Sequence, residues 1–147
     1  MNEAIEEILA LAQGELRTKR VVLRTDLATR LPSILGDRVQ LQQVVLNLIM
    51  NGIEAMSSVQ DRPRELVIRT REGQDDRVIV TVQDSGTGLD PKIAEQIFDA
   101  FYTTKGEGMG MGLSISRSIV KDHGGRLWAT TNEGPGATFQ FTLSKHH

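Results

Sequence analysis

There is no cysteine among the 147 residues, which excludes disulfides and thiolate metal sites and leaves a reducing compartment compatible with the chain. A basic excess is missing too. Seventeen Lys and Arg stand against 19 Asp and Glu, a formal charge of -2, and that balance argues against a nucleic-acid footprint. No run of about 20 apolar residues exists to span a membrane, and neither a signal peptide nor a charged targeting arm is visible at Met1. Of the 3 histidines, His146 and His147 close the chain and read as a tag remnant. What remains has the size of one ordinary domain, 39% hydrophobic and 24% charged, as expected of a soluble globular protein.

The periodicities place most elements. "NEAIEEILALAQGELRTK" carries Ile5, Ile8, Leu9 and Ala12 at helical spacing behind Asn2. "RVVLRTDL" alternates as a strand, and Asp37 is suited to cap a long helix running to about Ser57. Two strands, "ELVIRTREG" and "DRVIVTVQD", form a hairpin after the chain break at "DRPR". A glycine loop, "DSGTGLD", precedes a short helix that starts at Pro91 and runs through Phe98. Residues 99–111 lose periodicity and read as a loop, while "LSISRSIVKDHGG" is a helix closed by Gly124 and Gly125, its apolar residues being Leu113, Ile115, Ile119 and Val120. "RLWATTN" and "GATFQFTLS" are the last strands. Strands outside βαβ register, with a hairpin in each half, predict an α+β fold: a two-layer α/β sandwich with a mixed sheet packed on helices.

The chemistry-bearing stretch is "LNLIMNGIEAM". Leu41, Val44, Val45, Leu48, Ile49 and Ile53 bury one helix face, yet Asn47, Asn51 and Gly52 each cost roughly 0.5–1 kcal/mol against alanine in a helix interior. Either the amides are buried and bonded to neighbouring backbone, with Gly52 there for close packing, or they face a ligand. "GEGMGMGLS" fails both the P-loop and the dinucleotide templates, and it lacks the elements of a protein kinase. Its glycines suit either plain flexibility or backbone approach to phosphate. Asp84 ends an apolar strand, where it is either a turn former or a partly desolvated acceptor for an exocyclic amine such as that of adenine. Asn51 offers a neutral oxygen to a hard cation such as Mg2+.

The order of these pieces resembles the catalytic, ATP-binding domain of bacterial sensor histidine kinases, within the Bergerat-type superfamily of gyrase, Hsp90, histidine kinases and MutL. "DRVQLQQVVLNLIMNGIEAM" is similar to the asparagine box and "DSGTGL" to the first glycine box. "IFDAFYTTK" is similar to the phenylalanine box, "GMGMGLSIS" to the second glycine box and "GPGATFQFTL" to the last. The resemblance implies ATP and Mg2+ as cofactors. It gives the metal to Asn51, the phosphate side to Asn47, and the adenine amino group to Asp84 with support from Thr138. Gly86 and Gly88 would let the loop pass the base. Lys105 would touch phosphate, and Gly108, Gly110, Gly112 and Leu113 would shape the lid and the following helix start. Phe98 and Phe101 would anchor the lid base. Ala100 stands where many members have proline, and Gly52 where alanine is common. Met109 and Met111 resemble the nitrogen-fixation oxygen-sensor subgroup, as apolar filler of the lid or as contacts to a partner domain.

In the gyrase and chaperone branches a glutamate one turn before the metal asparagine activates water. Here that position is Asn47, and an amide is a poor general base. The expected reaction is γ-phosphoryl transfer to a histidine, with no residue of this chain acting as general base. His123, at a helix end, is expected to bond last-turn carbonyls, and no histidine lies within residues 2–19. That segment resembles a linker helix leaving a dimerisation and phosphoacceptor domain, so the expected division is 1–19 linker-like helix, 20–145 ATP-binding domain and 146–147 tag. Expected partners are the phosphoacceptor helices of the parent kinase and a downstream response regulator, with no nucleic acid and no membrane contact. The chain is expected to be monomeric and cytoplasmic, from a parent that a membrane could anchor, and unable to autophosphorylate alone. A gyrase- or chaperone-type ATPase, a nucleotide-free interaction module and an anti-sigma-factor serine kinase are the competing readings.

Overall fold

The structure, a computed structural model, describes residues 1–29, 31, 36–88, 96–98, 112–132 and 134–144. Helix α1 spans Asn2–Thr18 and strand β1 Val21–Leu27. Helix α2, Arg38–Ala55, leads into the hairpin strands β2, Arg64–Glu72, and β3, Val78–Asp84. Helix α3, Gly112–Asp122, precedes β4, Leu127–Thr131, and β5, Ala137–Leu143. The expected short helix before the loop is described only at Gln96–Phe98, as a 3-10 turn.

The five strands form one mixed sheet in the order β1-β2-β3-β5-β4, with β1 and β2 parallel and every other pair antiparallel. Parallel neighbours need a crossover, and α2 supplies it. The expectation of strands outside βαβ register therefore fails at this one unit, because the polar sequence of β1 hides its pairing: apart from Val21 its residues are half-buried or exposed. β3 buries alternate residues from Val78 to Asp84, and β5 buries Ala137, Phe139, Phe141 and Leu143, which is the pattern of a sheet with one face against helices.

α2 is the central helix, and its sequence explains why. Asp37 caps it by accepting the Gln40 N–H at 3.1 Å, and Leu41, Val44, Val45, Leu48, Ile49 and Ile53 are buried as their spacing predicts. Each such aliphatic side chain contributes about 1.5–3 kcal/mol when fully buried. α1 shares this core through Ile5, Ile8, Leu9, Ala12 and Leu16. Polar contacts seat it further: Asn2 Nδ2 donates to the Ala28 carbonyl at 2.7 Å, and Gln42 Nε2 donates to the Ala4 carbonyl at 3.2 Å and to Glu7 at 3.1 Å. The Gln42 hydrogen bond, then Arg38, hold the Glu7 carboxyl below its ordinary range. Helix α1 is thus packed on the core.

The end of α3 is fixed by two devices. Gly124 takes φ 73 and the Gly125 N–H returns to the Val120 carbonyl at 2.9 Å, closing the helix in a Schellman turn. His123, buried at 6% exposure, bonds the Ile119 carbonyl through Nδ1 at 2.8 Å and accepts the Asp37 backbone N–H at Nε2, 3.0 Å away. Because Nε2 accepts, Nδ1 carries the proton. The side chain thereby joins the start of α2 to the end of α3, a wider role than bonding its own last turn. Among the described residues no helix is long and apolar enough to cross a membrane.

Candidate nucleotide site

Asp84 is the centre of the site. It lies at the end of β3, 4% exposed, and its Oδ1 accepts the Gly86 N–H at 2.8 Å and the Ala137 N–H at 3.3 Å. Two backbone donors on one oxygen fix the carboxylate's orientation and offset the cost of burying its charge. Gly52 of α2 faces the other oxygen: a Cβ there would stand 3.8 Å from Asp84 Oδ2 and 2.9 Å from Leu66 Cδ1. Gly52 is therefore a close-approach residue. It allows the helix to lie against the strand end, and the Leu66 methyl fills the space an alanine would occupy.

The loop after Asp84 is bound to the end of α2. A Cβ on Gly86 would meet the Ala55 carbonyl oxygen at 2.5 Å, and the Thr87 N–H donates to that oxygen at 3.1 Å. Gly88 takes φ 91, which favours glycine. Asn132, before the last turn, donates from Nδ2 to the Asp84 carbonyl at 3.0 Å and to the Pro135 carbonyl at 3.0 Å.

Thr138 reaches this cluster through Asn132 and not through Asp84 directly. It pairs with Gln83 in the β3 to β5 register, so it lies on the face opposite Asp84, and its hydroxyl bonds Asn132 Oδ1. The residue beside the carboxylate is Ala137, through its backbone. Ala137 and Asn132 carry no chemical signal that sequence reading could have used; only strand pairing brings them there.

Farther toward the helix start, Asn47 donates from Nδ2 to the Gly112 carbonyl at 3.2 Å and to Ser116 Oγ at 3.0 Å, and its Oδ1 accepts from Gln43 Nε2 at 2.8 Å. This amide spans α2 and the first turn of α3. On α3, Leu113, Ser116 and Val120 are buried, whereas Ile115 is 43% exposed. Leu113 packs in the core. Asn51, one turn beyond Asn47, is half-buried. No hydrogen bond engages its side chain among the described residues, and no buried side-chain nitrogen or oxygen there lacks a partner, so its amide reaches solvent. Among the described residues no group of three His, Cys, Asp or Glu could hold a metal, and Asn51 offers a neutral amide oxygen. Such a site fits a cation that keeps water and ligand phosphates in its shell, as Mg2+ does.

Phe98 is buried edge-on to Phe139, ring centroids 6.2 Å apart, with the Arg117 guanidinium 4.6 Å from its centroid. Lys105, Gly108 and Gly110, with Ala100, Phe101, Met109 and Met111, lie outside the described residues.

A mixed sheet on helices, with a locked carboxylate at one end of α2 and an amide pair along it, is the architecture of a nucleotide-binding ATPase domain. Residues 36–147 match the family described as histidine kinase-, DNA gyrase B-, and HSP90-like ATPase, and the chain belongs to that family. Its relatives are sensor kinases. It is 46% identical to the sensor protein FixL of Bradyrhizobium diazoefficiens over 143 residues, 97% of this chain but 28% of FixL. The catalytic domain of the histidine kinase ThkA, solved nucleotide-free, superposes with a TM-score of 0.87 at 32% identity, covering 99% of this chain and 93% of that one. ThkA has also been solved in complex with the response regulator protein TrrA, a likeness with a TM-score of 0.83 at 30% identity that covers 99% of this chain and 40% of that one. Full-length ShkA, solved with AMPPNP, gives a TM-score of 0.84 at 26% identity, covering 96% of this chain and 29% of that one. The chain therefore spans under a third of FixL and of ShkA.

Proposed function

We propose that the chain binds Mg-ATP and donates the γ-phosphoryl group to a histidine on a separate dimerisation and phosphoacceptor domain, as the catalytic part of a two-component sensor kinase in the cytoplasm. The observation that carries this reading is the Asp84 carboxylate, buried beside Gly52 and held by the Gly86 and Ala137 N–H groups. A charge kept at that depth suits an acceptor for the adenine amino group. Asn51 would give its amide oxygen to Mg2+, which screens phosphate charge when bound. The start of α3 would face the phosphates with its N–H groups, and Asn47 would hold that helix end in place.

Transfer rather than hydrolysis is favoured by the same Asn47. Its oxygen is occupied by Gln43 and its nitrogen by α3, so the position has no group able to take a proton from water. A neutral imidazole needs no such help. Its ring nitrogen attacks with its own lone pair as the bond from phosphorus to the ADP oxygen breaks, and the proton on the other ring nitrogen leaves to solvent or to the phosphoacceptor domain, so this domain has only to position ATP and stabilise charge. The FixL likeness and the ThkA complex with TrrA support a response regulator as the downstream partner.

Calorimetric titration with AMPPNP, with and without Mg2+, combined with a phosphate-release assay on ATP, tests the reading. Binding with negligible phosphate release is expected, and rapid release would point to a gyrase- or chaperone-type hydrolase. Asn51→Ala is expected to weaken the Mg2+ complex by roughly tenfold, about 1.4 kcal/mol, while metal-free nucleotide binds nearly as before. Equal loss for both forms would defeat the metal assignment.

A further inference from the structure

We infer that Arg62 is a positioning residue for Asp84 and thereby sets the preference for an adenine base. The inference rests on the reading of Asp84 as the base acceptor. The "DRPR" stretch reads in sequence only as a break between helix and strand, yet the Arg62 guanidinium grips the loop that follows Asp84. Its Nε donates to the Ser85 carbonyl at 3.1 Å and its Nη2 to the Gly86 carbonyl at 2.7 Å, while Nη1 pairs with Asp61 at 3.2 Å.

The consequence follows from peptide geometry. In a planar trans peptide the C=O and N–H point in opposite directions, and no cis peptide is found among the described residues. The peptide whose carbonyl is Ser85 O has its N–H on Gly86, which donates to Asp84 Oδ1. The next peptide, with Gly86 O, has its N–H on Thr87, which donates to the Ala55 carbonyl at the end of α2. One guanidinium therefore orients both planes. One of them aims a donor at the carboxylate, and the other fastens the loop to the helix that carries Asn47 and Asn51.

The neighbouring segment adds to the grip. The Glu65 N–H donates to Ser85 Oγ at 2.9 Å, and that hydroxyl donates to the Pro63 carbonyl at 3.0 Å. Arg62 also lines a pocket of about 490 Å³ with Lys19, Arg20 and Arg64, and none of the site residues named above lines it. Arg62 thus acts from behind the loop, through Asp84. The fork geometry matters because lysine is a point donor and cannot match two divergent carbonyls with one plane.

The test compares Arg62→Met, Arg62→Lys and Asp84→Asn with the unaltered chain, titrating each with AMPPNP and GMPPNP and recording the ligand-free melting temperature. Arg62→Met is expected to lose about tenfold in AMPPNP affinity, with a lower ratio of adenine to guanine affinity, and Arg62→Lys is expected to recover part of that ratio. A purely structural residue would lower the melting temperature and leave the ratio alone, so an unchanged ratio in Arg62→Met overturns the inference. Should Arg62→Met fail to fold, an unchanged ratio in folded Arg62→Lys does the same. If Asp84→Asn itself leaves the ratio untouched, the reading of the base site falls and takes this role of Arg62 with it.

Discussion

Asp84→Asn lowers the affinity for a non-hydrolysable ATP analogue by roughly 10- to 100-fold, the expected loss of a charge-assisted hydrogen bond of about 1.5–3 kcal/mol. The substitution is selective because of how the carboxylate is held. Oδ1 accepts from the Gly86 and Ala137 N–H groups, and an asparagine oxygen accepts them equally well, so the loop and the β5 edge keep their bonds. The atom turned away from those donors becomes an NH2, which meets the adenine amino group donor against donor. The same NH2 suits a carbonyl at that position of the base, so the adenine preference is expected to fall or invert in favour of a guanine or hypoxanthine nucleotide. Titration with both analogues measures this. Unaltered affinity and preference would leave Asp84 as a strand-end turn former, the alternative that its sequence position leaves open.

How far the sequence carries can be judged at particular residues. The α2 stripe was legible because six apolar side chains repeat at helical spacing and a capping aspartate precedes them. The hairpin and the glycine-closed end of α3 were legible because their turns have local chemistry. The parallel pairing of β1 was not, since pairing is a long-range property and β1 is largely exposed. The burial of Ser116 on α3 was not legible either, because its partner Asn47 lies on another helix. Within the site, Gly52 lies against Asp84 and the Gly86 N–H bonds its carboxylate. Thr138 is linked to Asp84 only through Asn132, because side chains alternate across a strand and Thr138 pairs with Gln83. Arg62 was invisible for a related reason: an arginine in a connector looks like solvated surface until the carbonyls it holds are known.

Gly136→Ala is expected to damage both fold and site, by roughly 2–4 kcal/mol of stability and about 5–15 °C in melting temperature. Gly136 takes φ 97, where an L side chain is strained. A Cβ there would stand 2.0 Å from the Asp84 carbonyl oxygen, 2.7 Å from its carbon and 2.9 Å from Ser85 Cα. Those are backbone atoms of the strand end and its loop, so no side chain can swing aside to relieve the overlap. The turn must move, and it carries the Ala137 N–H that orients the Asp84 carboxylate. Nucleotide affinity should therefore fall together with stability. Gly134 supplies the control from the same turn, because a Cβ there meets nothing within 4 Å. Gly134→Ala should melt and bind as the unaltered chain does. If Gly136→Ala behaves like Gly134→Ala, the close approach of the final turn to Asp84 is wrong, and with it the placement of the carboxylate between β3 and β5.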